Sequence, residues 1–188
     1  YNGDTEDEGA SGYGFNPPSQ GLVYLNKSMS NFVYYNNDFT VIGNPSDGQH
    51  FYNYLRGIWK DNTPMTFGGN GHGSGSGATT DQCNYMFPGT TDPTFPNQLW
   101  TEVTAGNIPA DRRFLMSAGP VDLTPGDIYE LDYAFVFAWD STNANGGSVS
   151  LLFSYTDQIK DFYDGVLAMP CSVTTNVNDQ LATQKVKL

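Results

Sequence analysis

Residues 111–138 read DRRFLMSAGPVDLTPGDIYELDYAFVFA and contain the longest apolar run of the chain. In the second half, every second position is apolar or aromatic, and these positions are Tyr129, Leu131, Tyr133, Phe135 and Phe137. The positions between them begin polar at Glu130 and Asp132 and become apolar by Val136. A period of two in a segment rich in aromatic residues is typical of a β-strand. The pattern predicts a strand with one apolar face, whose burial increases along its length.

A second strand is predicted in the first half of the same stretch. Residues 113–121 are expected to pair with the long strand, because a Pro-Gly turn lies between the two segments. This places an antiparallel pair at the centre of the domain. Arg112 and Arg113 are neighbours, so they point to opposite faces of a strand. In a chain this poor in basic residues, we expect one of them to pair with a carboxylate such as Asp111 or Asp127 and to fix the strand register.

The remaining periodic segments complete the predicted fold. Short strands are predicted at 21–24, 31–36 and 39–42, and the last two are expected to form a hairpin. Apolar residues at helical spacing predict amphipathic helices at 46–59 and 148–163. The predicted fold is mainly β, an antiparallel β-sandwich-like domain with two amphipathic helices.

Length and composition predict one domain with polar ends. Residues 1–20 are an acidic, Gly-rich leader or linker, residues 21–171 the β-rich domain, and residues 172–188 a C-terminal linker. Eight basic and twenty acidic residues give a net charge of −12, which argues against binding to nucleic acid or to anionic lipid. No stretch approaches the roughly 20 apolar residues of a membrane span. We expect this balance to reflect a solubilising surface charge on a secreted protein, and a bound divalent cation is the alternative.

The chain has two cysteines, Cys83 and Cys171. Two cysteines in an exported chain most often form one disulfide, and here it would join the middle of the chain to the segment after the last helix. Because the enclosed loop is long, such a bond would stabilise the fold by about 4 kcal/mol in the chain-entropy account. The alternative is two unrelated buried thiols.

Several motifs in a fixed order carry a resemblance to a known group of proteins. They are FNPPSQGLVYLN, FVYYNND, HFYNYLRGIWKDNTPMTFGG, YMFPGTTDP and DRRFLMSAGPVDLTPGD, and they span most of residues 15–165. Together they resemble a module of secreted Bacteroidota proteins that are cargo of the type IX secretion system and carry a C-terminal type A sorting domain. The final KVKL resembles the linker that precedes such a domain. The resemblance implies an extracellular or cell-surface address and no particular activity.

Two sets of residues are candidates for ligand binding. Asp140, Asn143 and Asn145 offer oxygen ligands in one loop that suit Ca²⁺, and an ordinary Asx-rich turn is the alternative. Trp59 and Trp100 offer flat faces on which sugar rings stack, and core packing is the alternative. No cofactor is required by the sequence, and Ca²⁺ is the one ion that it suggests.

No catalytic motif is evident in the chain. Nucleophilic hydrolysis needs a histidine beside a nucleophile, and neither His50 nor His72 lies in a known nucleophile motif. The predicted function is a non-catalytic extracellular structural, adhesive or interaction module of a larger secreted surface protein. Its expected partners are other surface proteins, other domains of the same chain, and glycans. The alternatives are a Ca²⁺-dependent carbohydrate-binding module and, less favoured, a glycoside-acting enzyme domain, which needs only two carboxylates.

Overall fold

A computed structural model describes residues 6–7, 13–15, 17–107, 110–142 and 147–167. The strands are β1 (Glu6–Asp7), β2 (Gly14–Phe15), β3 (Ser19–Tyr24), β4 (Asn31–Asn36), β5 (Thr66–Gly68), β6 (Ala78–Gln82), β7 (Arg112–Ser117) and β8 (Tyr133–Ala138). The helices are α1 (Gly48–Leu55) and α2 (Gly147–Phe162), and a π-helical turn at Tyr163–Leu167 follows α2. The fold is thus mixed, with more strand than helix, and its two helices lie within the two predicted helical regions to within one residue.

The described strands form four two-stranded antiparallel sheets, which pair β1 with β2, β3 with β8, β4 with β7 and β5 with β6. In the β3–β8 sheet, Ser19 lies opposite Ala138 and Tyr24 opposite Tyr133. In the β4–β7 sheet, Asn31 lies opposite Ser117. The β3–β8 sheet and the β4–β7 sheet each join segments that are far apart in the chain.

The predicted pairing of residues 113–121 with the long strand is wrong, because β7 and β8 belong to different sheets. The turn between them is stabilised by hydrogen bonds among its own residues and does not start a hairpin. Asp127 donates its backbone N–H to the carbonyl of Thr124 at 3.0 Å, and its carboxylate accepts the Thr124 N–H at 2.8 Å. These local bonds satisfy the turn without bringing the flanking strands together.

The predicted hairpin at 39–42 is also absent from the described structure, where residues 37–43 form bends and turns. The carboxylate of Asp38 accepts hydrogen bonds from the backbone and hydroxyl of Thr40 at 2.8 and 2.6 Å. Gly43 then donates to the carbonyl of Thr40 at 3.0 Å. An Asx turn therefore replaces the strand, since these bonds use backbone groups that a hairpin ladder would need.

Helix α1 begins and ends at recognisable local signals. Asp47 caps it by accepting the backbone N–H of His50 at 2.9 Å. The helix stops at Leu55, short of the predicted end at 59, because Gly57 adopts a φ of 67° that lies outside helical geometry. Strand β3 begins at Ser19, slightly inside the segment that was predicted to be a leader.

The buried core is aromatic and comes from the middle of the chain. Its members, called here the aromatic core, are Val33, Tyr35, Tyr54, Trp59, Met65, Phe67, Cys83, Met86, Phe95 and Trp100. Tyr54 and Trp59 meet edge to face with ring centroids 5.4 Å apart. The Tyr54 hydroxyl donates to the carbonyl of Gly43 at 2.6 Å, so its polar end is satisfied inside the core.

Candidate functional sites

A group of exposed aromatic side chains lies on β8. Its residues Tyr133, Phe135 and Phe137, called here the outer aromatic face, are all exposed, and Phe135 reaches 77 %. Val136 and Ala138 between them are buried. The sequence pattern predicted the rising burial of the strand, but the face richest in aromatic residues is the face that remains open.

Helix α2 explains why the two faces of β8 differ. Gly21 lies opposite Val136 in the sheet, and a Cβ built on Gly21 would lie 3.5 Å from Cδ2 of Leu152. Cross-strand neighbours share a face of the sheet, so α2 covers the face that carries Val136. On the opposite face, Leu22 and Tyr24 lie opposite Phe135 and Tyr133, and the Tyr24 hydroxyl donates to the carbonyl of Met116 on β7 at 3.1 Å. Among the described residues, this face is therefore covered only in part, and Phe135 stays 77 % exposed.

The rings of the outer aromatic face are not coplanar. Tyr133 and Phe135 have ring centroids 5.8 Å apart and an interplanar angle of 85°. This edge-to-face arrangement is favourable for the two rings themselves. It does not offer a flat platform on which a sugar chain would stack.

A cavity of about 480 Å³ lies between β3, β4, β7 and the segment 85–93. Phe32 on β4 lies opposite Met116 on β7, and it also forms a bridge with Tyr85. Strand β4 therefore runs between β7 and the later segment, and the space beside it is walled by side chains from all three. Among the residues that contribute to its walls are Leu22, Met29, Phe32, Tyr85, Asp92 and Met116.

Asp92 is the unusual member of that wall. Its side chain is buried, with the residue 3 % exposed, and it lies among aromatic and aliphatic groups. One carboxylate oxygen accepts the backbone N–H of Thr94 at 2.8 Å. The other, Oδ2, accepts no hydrogen bond from the described part of the chain. A buried acceptor without a donor is costly, which makes Asp92 a candidate for binding chemistry.

A buried ion pair lies next to this cavity. Arg112 Nε is 2.9 Å from Glu102 Oε1, and both side chains are less than one tenth exposed. The hydroxyl of Tyr34, which also lines the cavity, donates to Glu102 Oε2 at 3.0 Å. Burial raises the pKa of Glu102 above its usual value, although both partners act to lower it. The pair ties the turn at 102–106 to β7, and sequence reasoning did not foresee Glu102 as the partner.

The neighbouring arginine, Arg113, forms an ion pair at the protein surface. Arg113 lies 3.3 Å from Asp111 in an exposed pair. A pairing between one arginine and Asp111 was expected, and this part of the expectation is confirmed. The buried partner that holds the strand belongs instead to Arg112.

A second polar cluster closes the loop of residues 68–77, which contains six glycines and is called here the Gly-rich loop. His72 Nδ1 lies 2.7 Å from Ser74 Oγ, and His72 Nε2 lies 3.1 Å from Asp61 Oδ2. This is the order of groups that a nucleophilic serine requires. However, the Ser74 backbone N–H also points to His72 Nδ1 at 3.2 Å, and none of the three residues lines the cavity described above. These local hydrogen bonds hold the loop in its conformation. They do not place the three residues beside the cavity described above, where a substrate would have a wall to bind against.

Both tryptophans proposed as sugar platforms are buried, Trp59 at 1 % and Trp100 at 2 % exposure. Their indole N–H groups donate to carbonyl oxygens of the Gly-rich loop, Trp59 to Gly71 at 2.7 Å and Trp100 to Gly69 at 3.1 Å. The prediction of exposed stacking faces is therefore wrong, because the rings pack inside the aromatic core. Core packing, the alternative, is what the structure shows.

The proposed calcium ligands are only partly described. Asp140 Oδ1 accepts hydrogen bonds from the backbone and hydroxyl of Thr142 at 2.9 and 2.7 Å, which is an Asx turn. Asn143 and Asn145 lie outside the described residues. Over the described ranges, no group of three or more His, Cys, Asp or Glu side chains is arranged to hold a metal. The calcium site stays a prediction.

The predicted disulfide has one described member. Cys83 is buried in the aromatic core, and burial raises the pKa of its thiol to about 12. A thiol with so high a pKa is a poor nucleophile at neutral pH. Cys171 lies outside the described residues, so the pairing stays a prediction.

Comparisons with known proteins place the chain in no family. No protein-family model, no curated protein and no solved structure matches it. Within the described segments, every helix is too short or too polar to cross a membrane.

Proposed function

We propose that this chain is a non-catalytic interaction module of a larger extracellular or cell-surface protein, and that it contacts its partners through the outer aromatic face. The exposure of Phe135 between two other exposed aromatic residues supports this proposal best. A contiguous exposed apolar patch is costly in water and is commonly a protein interface. Aromatic side chains are also enriched among the interface residues that contribute most of the binding free energy.

The arrangement of α2 and the β3–β8 sheet indicates what such a partner would complete. One face of the sheet carries the helix, while the other presents aromatic residues. A second β-layer against that face would give the β-sandwich expected from the sequence. In our proposal, this layer is supplied by another domain of the same protein or by another surface protein.

The extracellular address of the module is supported by composition and by resemblance. A net charge of −12 suits a secreted protein and opposes contact with nucleic acid. The motifs that resemble type IX secretion cargo imply the same location. In our proposal, an interface of this kind gives the module a structural or adhesive role.

The alternative function, a Ca²⁺-dependent carbohydrate-binding module, has less support. Both tryptophans are buried, and the ring pair on β8 is nearly perpendicular. Glycan-array binding in the presence of Ca²⁺ and its loss with a chelator would favour this alternative. We expect no glycan signal that depends on Phe135.

Photo-crosslinking tests the proposed interface. A benzoylphenylalanine at position 135 is compared with one at position 39, since Phe39 is 95 % exposed on a turn far from β8 in the sequence. With the full-length protein on the cell surface, we expect a crosslink from position 135 to a specific partner or to another domain, and little from position 39. Equal labelling from both positions, or none from position 135, would refute the proposal.

A further inference from the structure

We propose that the cavity beside β4 binds a small organic amine, a primary ammonium group carried on an apolar body, with Asp92 as its counter-charge. This inference goes beyond the proposed interface, because it assigns a small-molecule site to a cavity and does not depend on the exposed rings of β8. Its support comes from the walls of the cavity, from Asp92 and from the charge of the chain.

The walls of the cavity suit an apolar body of moderate size. Its volume of about 480 Å³ lies within the range that holds small organic ligands. Three methionines line it, namely Met29, Met86 and Met116. Methionine side chains are flexible and polarisable, so they adapt to aromatic or aliphatic groups. A body of this kind would gain affinity by removing apolar surface from water.

Asp92 sets the chemistry of the polar end. Among the described residues that line the cavity, it alone carries a charge. Its Oδ2 atom has no donor in the described chain and less than 1 Å² of exposed surface. A charged donor is the partner that a buried carboxylate favours most. A ligand reaches this oxygen only if the flexible methionine side chains of the wall move aside, and a compact ammonium group needs a smaller movement than a broad guanidinium group.

The charge of the whole chain supports the same sign of ligand. At a net charge of −12, the protein attracts cations and repels anions. A carboxylate or phosphate ligand would be repelled both by this field and by the carboxylate of Asp92. An amine therefore fits the long-range field and the local charge together.

Binding of 2-phenylethylamine, compared with that of 2-phenylethanol, tests the proposal. The two probes have nearly the same shape, and only the first is cationic at neutral pH. Methionine methyl groups labelled with carbon-13 report binding by NMR, with Met29 and Met116 in the cavity wall and Met65 in the aromatic core as an internal reference. We expect the amine to shift the first two signals and to bind at least about tenfold more tightly than the alcohol.

An isosteric variant then identifies the carboxylate. Asp92→Asn keeps an oxygen that can accept the Thr94 N–H, and we expect it to remove the preference for the amine. Asp122→Asn, at an exposed position, is the matched control and should keep that preference. An unchanged Met65 signal shows that each variant is folded.

Three outcomes would overturn the proposal. One is the absence of shifts at Met29 and Met116 up to the solubility limit of the amine, as expected if ordered water alone satisfies Asp92. Another is equal affinity of the wild-type protein for the two probes, a comparison that needs no variant. The third is an unchanged preference in a folded Asp92→Asn protein. None of these results bears on the outer aromatic face, which the crosslinking experiment tests separately.

Discussion

Aromatic residues are buried in one region of this protein and exposed in another. In the aromatic core, the side chains of Tyr54, Trp59 and Trp100 are buried among other core residues. Their hydroxyl and indole N–H groups donate hydrogen bonds to backbone carbonyls. On β8, Tyr133 and Phe135 touch each other but face solvent. Both regions are rich in aromatic residues. What differs is the cover over the rings, since among the described residues no element packs over Phe135 as the core packs around Trp59.

The largest expected difference between the two regions is in stability. Trp59→Ala should lower the free energy of unfolding by about 3 to 5 kcal/mol, because it removes a fully buried ring and leaves a cavity. Phe135→Ser should change it by no more than about 0.5 kcal/mol, since the ring is mostly exposed already. Urea unfolding followed by circular dichroism measures both.

Tyr54→Phe is a useful intermediate case in the same experiment. It keeps the ring and removes only the hydroxyl that donates to the carbonyl of Gly43. We expect a loss of about 1 to 3 kcal/mol, the cost of a buried acceptor without a donor. Comparable losses from Phe135→Ser and Trp59→Ala would contradict the contrast between the regions.

Adjacent arginines give the next contrast. Arg112→Ala should lower the free energy of unfolding by about 3 kcal/mol, because Glu102 would be left buried without its counter-charge. Arg113→Ala should cost less than about 1 kcal/mol, since its pair with Asp111 is at the surface. The two residues share a strand and a side-chain type, so burial is the main variable.

The double variant Arg112→Ala with Glu102→Gln checks the cause of that loss. If the unpaired carboxylate is responsible, the double variant should be more stable than Arg112→Ala alone. Equal stability of the two would show that packing of the arginine side chain, and not its charge, holds β7.

The sequence predicted local structure better than pairing, and the reasons are physical. Helix α2 was placed to within one residue because the apolar spacing and the ends of a helix are local properties. The period-two pattern of β8 correctly predicted a strand, but it contains no information about the partner, which is β3, more than a hundred residues away. From Ala134 to Ala138 both faces are apolar, so the pattern could not show which face α2 would cover.

The candidate sites were harder to predict than the elements. Asp92 stands between aromatic segments in YMFPGTTDPTFP, and a lone carboxylate in such surroundings is a signal that sequence reasoning could have used. That Oδ2 lacks a donor, in contrast, depends on the positions of β4 and β7. The partner of Arg112 was missed for the same reason, because Glu102 comes near it only through tertiary packing.

Alkaline titration should separate buried tyrosines from exposed ones. Burial raises the pKa of Tyr34 and of Tyr54 well above the usual value of 10.0. Above pH 10 the unfolded chain ionises these groups while the folded chain keeps them neutral. Their contribution to stability is therefore complete below pH 10 and is lost as the pH rises beyond it. Urea unfolding at increasing pH should show this decline, and it should be smaller in Tyr54→Phe than in Tyr52→Phe, the exposed control on the same helix.

The smallest expected effect belongs to the cluster that closes the Gly-rich loop. Burial acts to raise the pKa of Asp61, but hydrogen bonds from Thr63 and the contact with His72 outweigh it and hold the pKa below 3.8. The folded state therefore gains stability from Asp61 above the unfolded pKa, and this gain is lost as the pH falls through the folded pKa. Asp61→Asn should lower stability at neutral pH by less than about 1 kcal/mol, because the side chain is partly exposed.

The same variant distinguishes a structural cluster from a catalytic one. If the bonds of Asp61 only order the loop, Asp61→Asn should reduce the dependence of unfolding on pH below 3.8, and Ser74 should not react with a fluorophosphonate in either protein. Labelling of Ser74 in the wild-type chain that is lost in His72→Gln would instead show an activated serine. That result would make the Gly-rich loop, and not β8, the functional region of the molecule.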